Sequence, residues 1–471
     1  MKKLFKSLLV LVICVCTCLS FVGCNNTNWS NVTNSVDGVV SNGGVTLYHD
    51  GWVYFVNGTK TNNASNLEKS TIQAGIYRVK ADAEGNILYK ETPSSQAEDD
   101  EEEVKEFEKI EPVVKSLVGF DDGSIYIFGD YLYYSTPCTS KNKKGDMLNG
   151  KTEFHRYDLV NGGDQTIYTT KASDDTITYT YYKSGINLYF VIYEKNSATL
   201  TSLHIGKKIT CEFKKKDVKS AVLSELNAKE VDAKLELADH YVYYTLEADA
   251  ESDFTKGIRV YQVRPDGSKE RKISEGKDVT LLSVKAGKLI YSDKDNYVYA
   301  EAVTEDLTLS FDVANVIMAN KYDNFVIIEE TTGISTIVYD NTTIRKITYN
   351  NGVMVGDGIE IKTFDADNKV TFIGVDGDYV IYRLSNLVYK VKHTEESSPE
   401  VKLSTTKFDD PNGLMAAEIM NGYVYGFYTD SSAKVTYLYR INIQTPEELG
   451  EVDDEGKPKE VGEAEFIGVK E

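Results

Sequence analysis

From about residue 44 to residue 445, apolar and aromatic residues fall at every second position in short stretches. Small groups of Gly, Asp and Asn separate the stretches. This is the period of half-buried strands punctuated by tight turns. The most regular stretches share one phrase: GWVYFV (51–56), GDYLYYS (129–135), GINLYFV (185–191), DHYVYYT (239–245), GKLIYSD (287–293), DNFVIIE (323–329), GDYVIYR (377–383) and NGYVYGFY (421–428). The Gly, Asp or Asn at its head supplies a turn. The Tyr, Val, Ile and Phe that follow suit a pleated surface.

An apolar run precedes several phrases: Ser124–Phe128, Lys234–Leu237, Leu281–Val284 and Val370–Ile373. Run, turn and phrase together predict a β-hairpin. A second motif follows in Gly75–Lys80, Phe154–Leu159, Val260–Arg264 and Tyr437–Asn442, most often before an Asp-Gly or Asn-Gly turn. It predicts a third strand. Ile87–Tyr89 and Arg271–Ile273 are the expected fourth strands of their units. One four-stranded sheet cannot bury both faces, but sheets stacked face to face around an axis can. The expected fold is therefore all-β: a β-propeller of four-stranded antiparallel blades. Eight phrases about 53 residues apart on average favour eight blades, with seven the alternative. The phrases recur because each blade needs the same two strands. Most of the 33 tyrosines are expected between blades, ring buried and hydroxyl on a polar partner, rather than as an exposed row for sugars.

Four segments depart from this pattern. Residues 1–23 join Lys2, Lys3 and Lys6 to an uncharged apolar core, Leu8–Leu19, too short for a comfortable membrane span. Residues 24–38 are polar. An insertion at 94–112 carries nine acids and two lysines, and Val104, Phe107 and Ile110 sit at helical spacing, so a short surface helix is expected there. A second is expected over 216–231. The propeller is assigned to 39–446, with Val39–Tyr48 closing the ring beside C-terminal strands. Residues 447–471 read as a charged segment that could end in a closing strand.

The pairing of Gly-Asp-x-x-Tyr-Tyr with x-Tyr-Arg-x-x-x-Asp-Gly resembles the tyrosine-rich repeats of an uncharacterised family, the domain of unknown function numbered 5050 (DUF5050). That family occurs in lipoproteins and wall proteins of Gram-positive bacteria and is distantly similar to propellers of the low-density-lipoprotein-receptor type. The resemblance spans roughly 44–445 and is clearest near Arg78, Arg264 and Arg440. It implies a propeller and a surface location, and brings no active site. Separately, Phe21-Val22-Gly23-Cys24 resembles a bacterial lipobox, although phenylalanine replaces the usual leucine. That resemblance implies cleavage before Cys24, a diacylglyceryl group on its sulfur, and a membrane anchor on the outer face of the cytoplasmic membrane.

Charge and chemistry narrow the function classes. The chain carries −21, and without the three signal lysines the remainder carries −24. Self-repulsion of that size argues against nucleic acid as a partner. Cys14, Cys16 and Cys18 leave with the signal, so only Cys138 and Cys211 stay in the body of the chain. That is neither a disulfide framework nor a zinc site. One bond between the two is the alternative to the expected pair of buried thiols. Of five histidines, His155 falls in a strand motif and His240 at a hairpin turn, and both are expected to be ordinary β-surface residues. No Gly-x-Ser-x-Gly or His-Glu-x-x-His motif occurs, so no catalytic residue is assigned. Asp293 and Asp295, and Asp365 and Asp367, resemble half of a calcium loop. Each pair lacks the glycine and closing glutamate of a full site, so turn geometry is the stronger explanation and no cofactor is expected. The expectation is a monomeric, membrane-anchored binding module for a glycan or an envelope protein. The rival is a glycosidase or lyase on the same scaffold, which would need two or three carboxylates, or a His–Tyr pair, converging in a deep pocket.

Overall fold

In a computed structural model, the described residues are 41, 44–60, 75–90, 106–115, 124–137, 151–172, 176–184, 187–223, 241–248, 257–273, 278–285, 288–292, 297–302, 315–319, 324–330, 333–339, 342–350, 353–354, 358–365, 370–408, 417–430 and 435–469. They are all-β, with no helix among them. The strands fall in chain order into eight antiparallel units, which we number as blades. Blade 1 holds Thr46–His49, Trp52–Lys60, Gly75–Lys80 and Ile110–Val114. Blade 2 holds Tyr126–Phe128, Tyr131–Pro137, Thr152–Asp158 and Asp164–Thr169. Blade 3 holds Ile177–Ser184, Asn187–Glu194, Thr199–Ile205 and Ile209–Lys216. Blade 4 holds Ser220–Val222, Val242–Ala248, Gly257–Val263 and Arg271–Lys272. Blade 5 runs from Thr280–Lys285 through Lys288–Ser292 and Tyr297–Ala302 to Asn315–Ala319. Blade 6 has five strands, Asn324–Glu330, Gly333–Tyr339, Thr343–Asn350, Val353–Met354 and Ile359–Thr363. Blade 7 holds Val370–Asp376, Tyr379–Leu384, Leu387–Lys392 and Val401–Lys402. Blade 8 holds Glu418–Met420, Tyr423–Asp430, Val435–Asn442 and Glu465–Phe466.

The phrase heads make the turns they predict. Asp50–Gly51 and Asn421–Gly422 are two-residue loops with positive φ at both positions, the hairpin geometry that Asn-Gly and Asp-Gly favour. Apolar clusters then join consecutive blades. One links blades 2 and 3 through Tyr133, Phe154, Tyr181 and Phe190. Others link 3 with 4, 4 with 5, 6 with 7 and 7 with 8. The largest contains residues of blades 8, 1 and 2 together, among them Tyr425, Leu438, Phe55, Leu47 and Ile127. Blade 8 thus packs on blade 1 and the units form a propeller. The first strands of blades 4 and 5, and of 7 and 8, approach one another, which sets first strands nearest the axis.

The seam between blades 8 and 1 has its own devices. Gly58–Lys60 pairs with Val435–Tyr437, so the two blades share one continuous sheet. The Glu418 carboxylate accepts from Val45 N at 2.9 Å and from Thr46 Oγ1 at 2.5 Å. A Cβ on Gly44 would lie 1.3 Å from Glu418 Oε2, so only glycine admits this approach. Buried Asn57 imitates a strand: its Nδ2 donates to Val469 O at 3.1 Å, and its Oδ1 accepts from Val469 N at 2.8 Å.

Several expectations need correction. Thr46–His49 pairs with its own blade, not with C-terminal strands; it meets blade 8 through the Glu418 carboxylate. The fourth strand of blade 1 is Ile110–Val114, while Ile87 and Tyr89 make only isolated bridges. The expected helix over 104–110 is replaced, within the described residues, by the Phe107 bridge and this strand. Residues 216–223 end one strand and form another, so no helix begins there. The first strand of blade 4 is Ser220–Val222, and 234–237 lies outside the described residues. In blade 6 the phrase makes the first strand instead of the second. The charged C-terminal segment supplies Glu465–Phe466 to blade 8.

Candidate functional site

The recurring strands build two kinds of contact between blades, one on each face. On the face toward the next blade, the third strand carries a cation at a fixed register: Arg78, Arg156, Lys390 and Arg440. Each lies over the aromatic at the start of its second strand, 4.3 Å from Trp52, 5.0 Å from Tyr131, 4.4 Å from Tyr379 and 4.1 Å from Tyr423. Three of them then reach the following blade. Arg156 Nη2 donates to Gly206 O at 3.1 Å. Lys390 Nζ donates to Ile443 O at 2.8 Å and pairs with Glu448. Arg440 Nη2 donates to Tyr89 OH at 2.7 Å while its Nε holds Glu465 at 2.7 Å. Arg78 is the exception. Its hydrogen bonds, to Glu111 at 2.7 Å and Tyr54 OH at 3.3 Å, stay within blade 1.

On the face toward the preceding blade, blades 2, 4 and 7 share a second construction. A second-strand tyrosine stacks on the residue opposite it: Tyr134 on His155 (5.4 Å, 19°), Tyr244 on Tyr261 (5.6 Å, 18°), Tyr382 on Tyr389 (6.0 Å, 17°). Its hydroxyl donates to an acid at the head of the fourth strand, namely Asp164, Glu270 and Glu400. In blades 4 and 7 a lysine from the preceding blade's outer strand seals the acid. Lys215 Nζ lies 2.5 Å from Glu270 and Lys362 Nζ 3.5 Å from Glu400. Apolar residues flank it there: Leu246 and Val263 in blade 4, Leu384 and Val391 in blade 7.

Blade 2 departs from the pattern. The stacked partner is histidine, the flanking positions are Thr136 and Tyr157, and Glu153 stands opposite Thr136. The neighbouring lysine, Lys115, is exposed and makes no ion pair among the described residues. A cleft of about 350 Å³ results, lined by Val114, Lys115, Tyr134, Thr136, Glu153, His155, Tyr157 and Asp164. It is lined by the second, third and fourth strands of blade 2 and by the end of the outer strand of blade 1.

Both Asp164 oxygens are engaged. Oδ1 accepts from Tyr134 OH at 2.8 Å, and Oδ2 lies 2.6 Å from His155 Nδ1. A carboxylate only accepts, so Nδ1 is the donor in that bond. Nε2 is buried without a hydrogen bond, 3.6 Å from Glu153 Oε2. Burial, and then the bond to Asp164, push the Tyr134 phenol far above its ordinary range, so it stays a donor. The cleft thus sets two carboxylates, Glu153 and Asp164, the Lys115 ammonium and the Thr136 and Tyr157 hydroxyls beside an aromatic stack.

The residues singled out in the sequence are scattered. Cys24, Cys138, His240, Asp293, Asp295 and Asp367 lie outside the described residues. Asp365 is exposed just after the last strand of blade 6, and no His, Cys, Asp and Glu group able to hold a metal occurs among the described residues. Cys211 is an exposed free thiol, not a buried one, because it lies on an outer strand paired on one side only. His155 is no surface residue: it is 8% exposed. Its role becomes visible only when the blades are aligned by register, where it replaces Tyr261 and Tyr389.

No protein-family model matches the chain, and no curated protein does. Among solved structures it is similar to a post-proline cleaving enzyme from Rickettsia typhi (TM-score 0.39, 12% identity), covering 88% of this chain but only 58% of the enzyme. It is similar to the β-propeller domain of the Trilobed protease from Pyrococcus furiosus (0.36, 12%; 79% of this chain, 99% of that one). BamB from Moraxella catarrhalis is a third (0.33, 13%; 71% and 88%). At these scores the fold stands on the sheet order and inter-blade cores above.

Proposed function

We propose that this protein is a lipid-anchored surface module that binds an envelope glycan, with one sugar ring seated in the cleft between blades 1 and 2. The anchor rests on Lys2, Lys3, Lys6, the apolar core and Cys24 in the sequence. The ligand site rests on one observation: of the three described blades that carry the tyrosine–acid pair, blade 2 lacks the lysine seal of blades 4 and 7, and puts His155 and Glu153 beside an open cleft. Its volume falls in the lower part of the range of small-ligand sites, about 300–1,000 Å³. Sugar hydroxyls suit acceptor groups, and the faces of Tyr134, His155 and Tyr157 suit a pyranose ring.

A glycan array probed with the full-length protein in detergent tests the binding reading. Specific retention of an envelope polysaccharide, lost in Glu153→Gln, supports it. Recovery of one envelope protein with no glycan refutes it. Cys24→Ala is expected to abolish incorporation of labelled palmitate and release the protein from membranes.

The second reading, a glycosidase or lyase, is favoured by the meeting of Glu153, Asp164, His155 and Tyr134 in one cleft. It ranks lower because Asp164 is saturated by structural bonds that recur at Glu270 and Glu400. That leaves one carboxylate, where hydrolysis ordinarily uses two. New reducing ends, or unsaturated products, released from a bound glycan would reverse the order.

A further inference from the structure

The outer strand of blade 3, Ile209–Lys216, is paired on one side only. Residues 207–219, which contain it, hold six lysines and two acids, a net charge of +4. The whole chain carries −21, so everything outside this stretch sums to −25. Lys207, Lys208, Lys214, Lys216 and Lys219 are exposed and make no ion pair among the described residues. Lys215 alternates with its neighbours and turns to blade 4, where it pairs with Glu270. Beside Glu270 stand Lys269, Arg271 and Lys272, all exposed, so the cationic strip runs across two blades. The blades are locked together there. Ser202 Oγ donates to Pro265 O at 2.6 Å, and Gly267 packs against Glu212 O.

Lysine on an edge strand also guards against pairing with other sheets. That task does not account for this number. The outer strands Ile110–Val114, Asp164–Thr169 and Glu465–Phe466 carry no lysine, and Val401–Lys402 carries one.

We propose that this strip is a second interaction surface, and that it holds a linear anionic polysaccharide. The inference rests on the surface location in the reading above and is independent of the cleft. Uncompensated ammonium groups along a strand roughly 26 Å long suit a chain that bears anionic groups at intervals. A flat anionic surface such as a bilayer would also meet the acidic remainder of the molecule. A flexible chain keeps to a strip one strand wide, and salt screens the acids beyond about 8 Å. Single-stranded nucleic acid needs aromatic faces for its bases. The one aromatic of this strand, Phe213, is half-buried against Gly267.

The probe is polygalacturonate, with dextran of equal length as the uncharged control, and calorimetry on the full-length protein reads the affinity. Lys208→Gln, Lys214→Gln and Lys216→Gln together should weaken binding about 10-fold, the combined size of three exposed charge pairs. Lys402→Gln, Lys457→Gln and Lys459→Gln together change net charge equally and should leave binding as it was. Equal losses in the two triple variants assign the effect to overall charge and overturn the inference. Failure to bind polygalacturonate, or equal binding of dextran, overturns it too. Tighter strip-dependent binding to phosphatidylglycerol vesicles than to the polymer overturns it in favour of a bilayer. None of these results bears on the cleft, which the glycan array and Glu153→Gln test. If the first triple variant aggregates, Lys207→Gln with Lys208→Gln, at the turn, is measured in its place with the same outcomes.

Discussion

Two junctions of the ring are made from the same strands and do opposite things. Between blades 8 and 1, Arg440 crosses the gap to Tyr89, Glu465 closes behind it, and Glu418 and Asn57 grip the backbone of the opposite blade. Between blades 1 and 2, the corresponding Arg78 folds back on Glu111, and the face opposite carries His155 and Glu153 where blade 7 carries Tyr389 and Leu387. The covalent chain runs directly between blades 1 and 2 but not from 8 back to 1. A junction held by the backbone can leave polar groups facing a void; a junction without it needs every bolt. In this repeat protein, departure from the pattern opens the cleft, and exaggeration of it marks the seam.

The largest effect expected from breaking that contrast is at the seam. Arg440→Ala leaves Glu465 and Tyr89 facing a buried gap, and should cost about 3 kcal/mol in urea unfolding. Arg78→Ala removes a partly exposed pair, each side chain 28% accessible, and should cost about 1 kcal/mol or less. Equal losses would show that the two junctions are not different in kind. Next in size is the repair of blade 2. The triple change Thr136→Leu, Glu153→Leu and His155→Tyr copies blade 7, where Leu384, Leu387 and Tyr389 hold these places. It should raise the melting temperature and abolish ligand binding together, since binding sites trade stability for function. A stabilised variant that still binds would move the site elsewhere.

Within the sealed blades, Tyr382→Phe removes the donor to Glu400 and should cost about 1–2 kcal/mol. Tyr134→Phe should cost less, because Asp164 keeps its bond to His155. The smallest effect is one of pH. Burial pushes the Glu418 carboxyl up to about 7, with the bonds from Thr46 and Val45 opposing. The folded chain therefore holds this proton more tightly than the unfolded one. Its contribution to stability is full below the ordinary carboxylate range and is lost as pH rises through about 7. The difference in unfolding free energy between Glu418→Gln and the parent should thus change between pH 5 and pH 8. A difference that is flat with pH would remove Glu418 from the closure. The shift should be modest, since the residue keeps partial solvent contact.

The blades were legible in the sequence because second and third strands are paired on both sides and run for five to nine residues. The third-strand arginines were legible as a motif, though not as bolts. Fourth strands were harder: Arg271–Lys272, Val401–Lys402 and Glu465–Phe466 have two residues each and one neighbour apiece, too little for a period to show. That is why Ile87–Tyr89 was expected where Ile110–Val114 lies, beyond the acidic insertion. The cleft was hidden for a different reason. His155 alternates as a tyrosine would, and only cross-strand register sets it beside Asp164 and against Tyr261 and Tyr389 of other blades.

The meeting of Val45–Thr46 with Glu418, and of Asn57 with Val469, has a topological consequence. A short linker from Val469 back to Gly44 would span a single interface, so the place at which the chain opens the circle is a matter of gene order and not of architecture. Permuted chains that begin in another inter-blade loop should fold to the same wheel. In them Asn57, Glu418 and Tyr89 would be relieved of the task that sets them apart from their counterparts in the other blades.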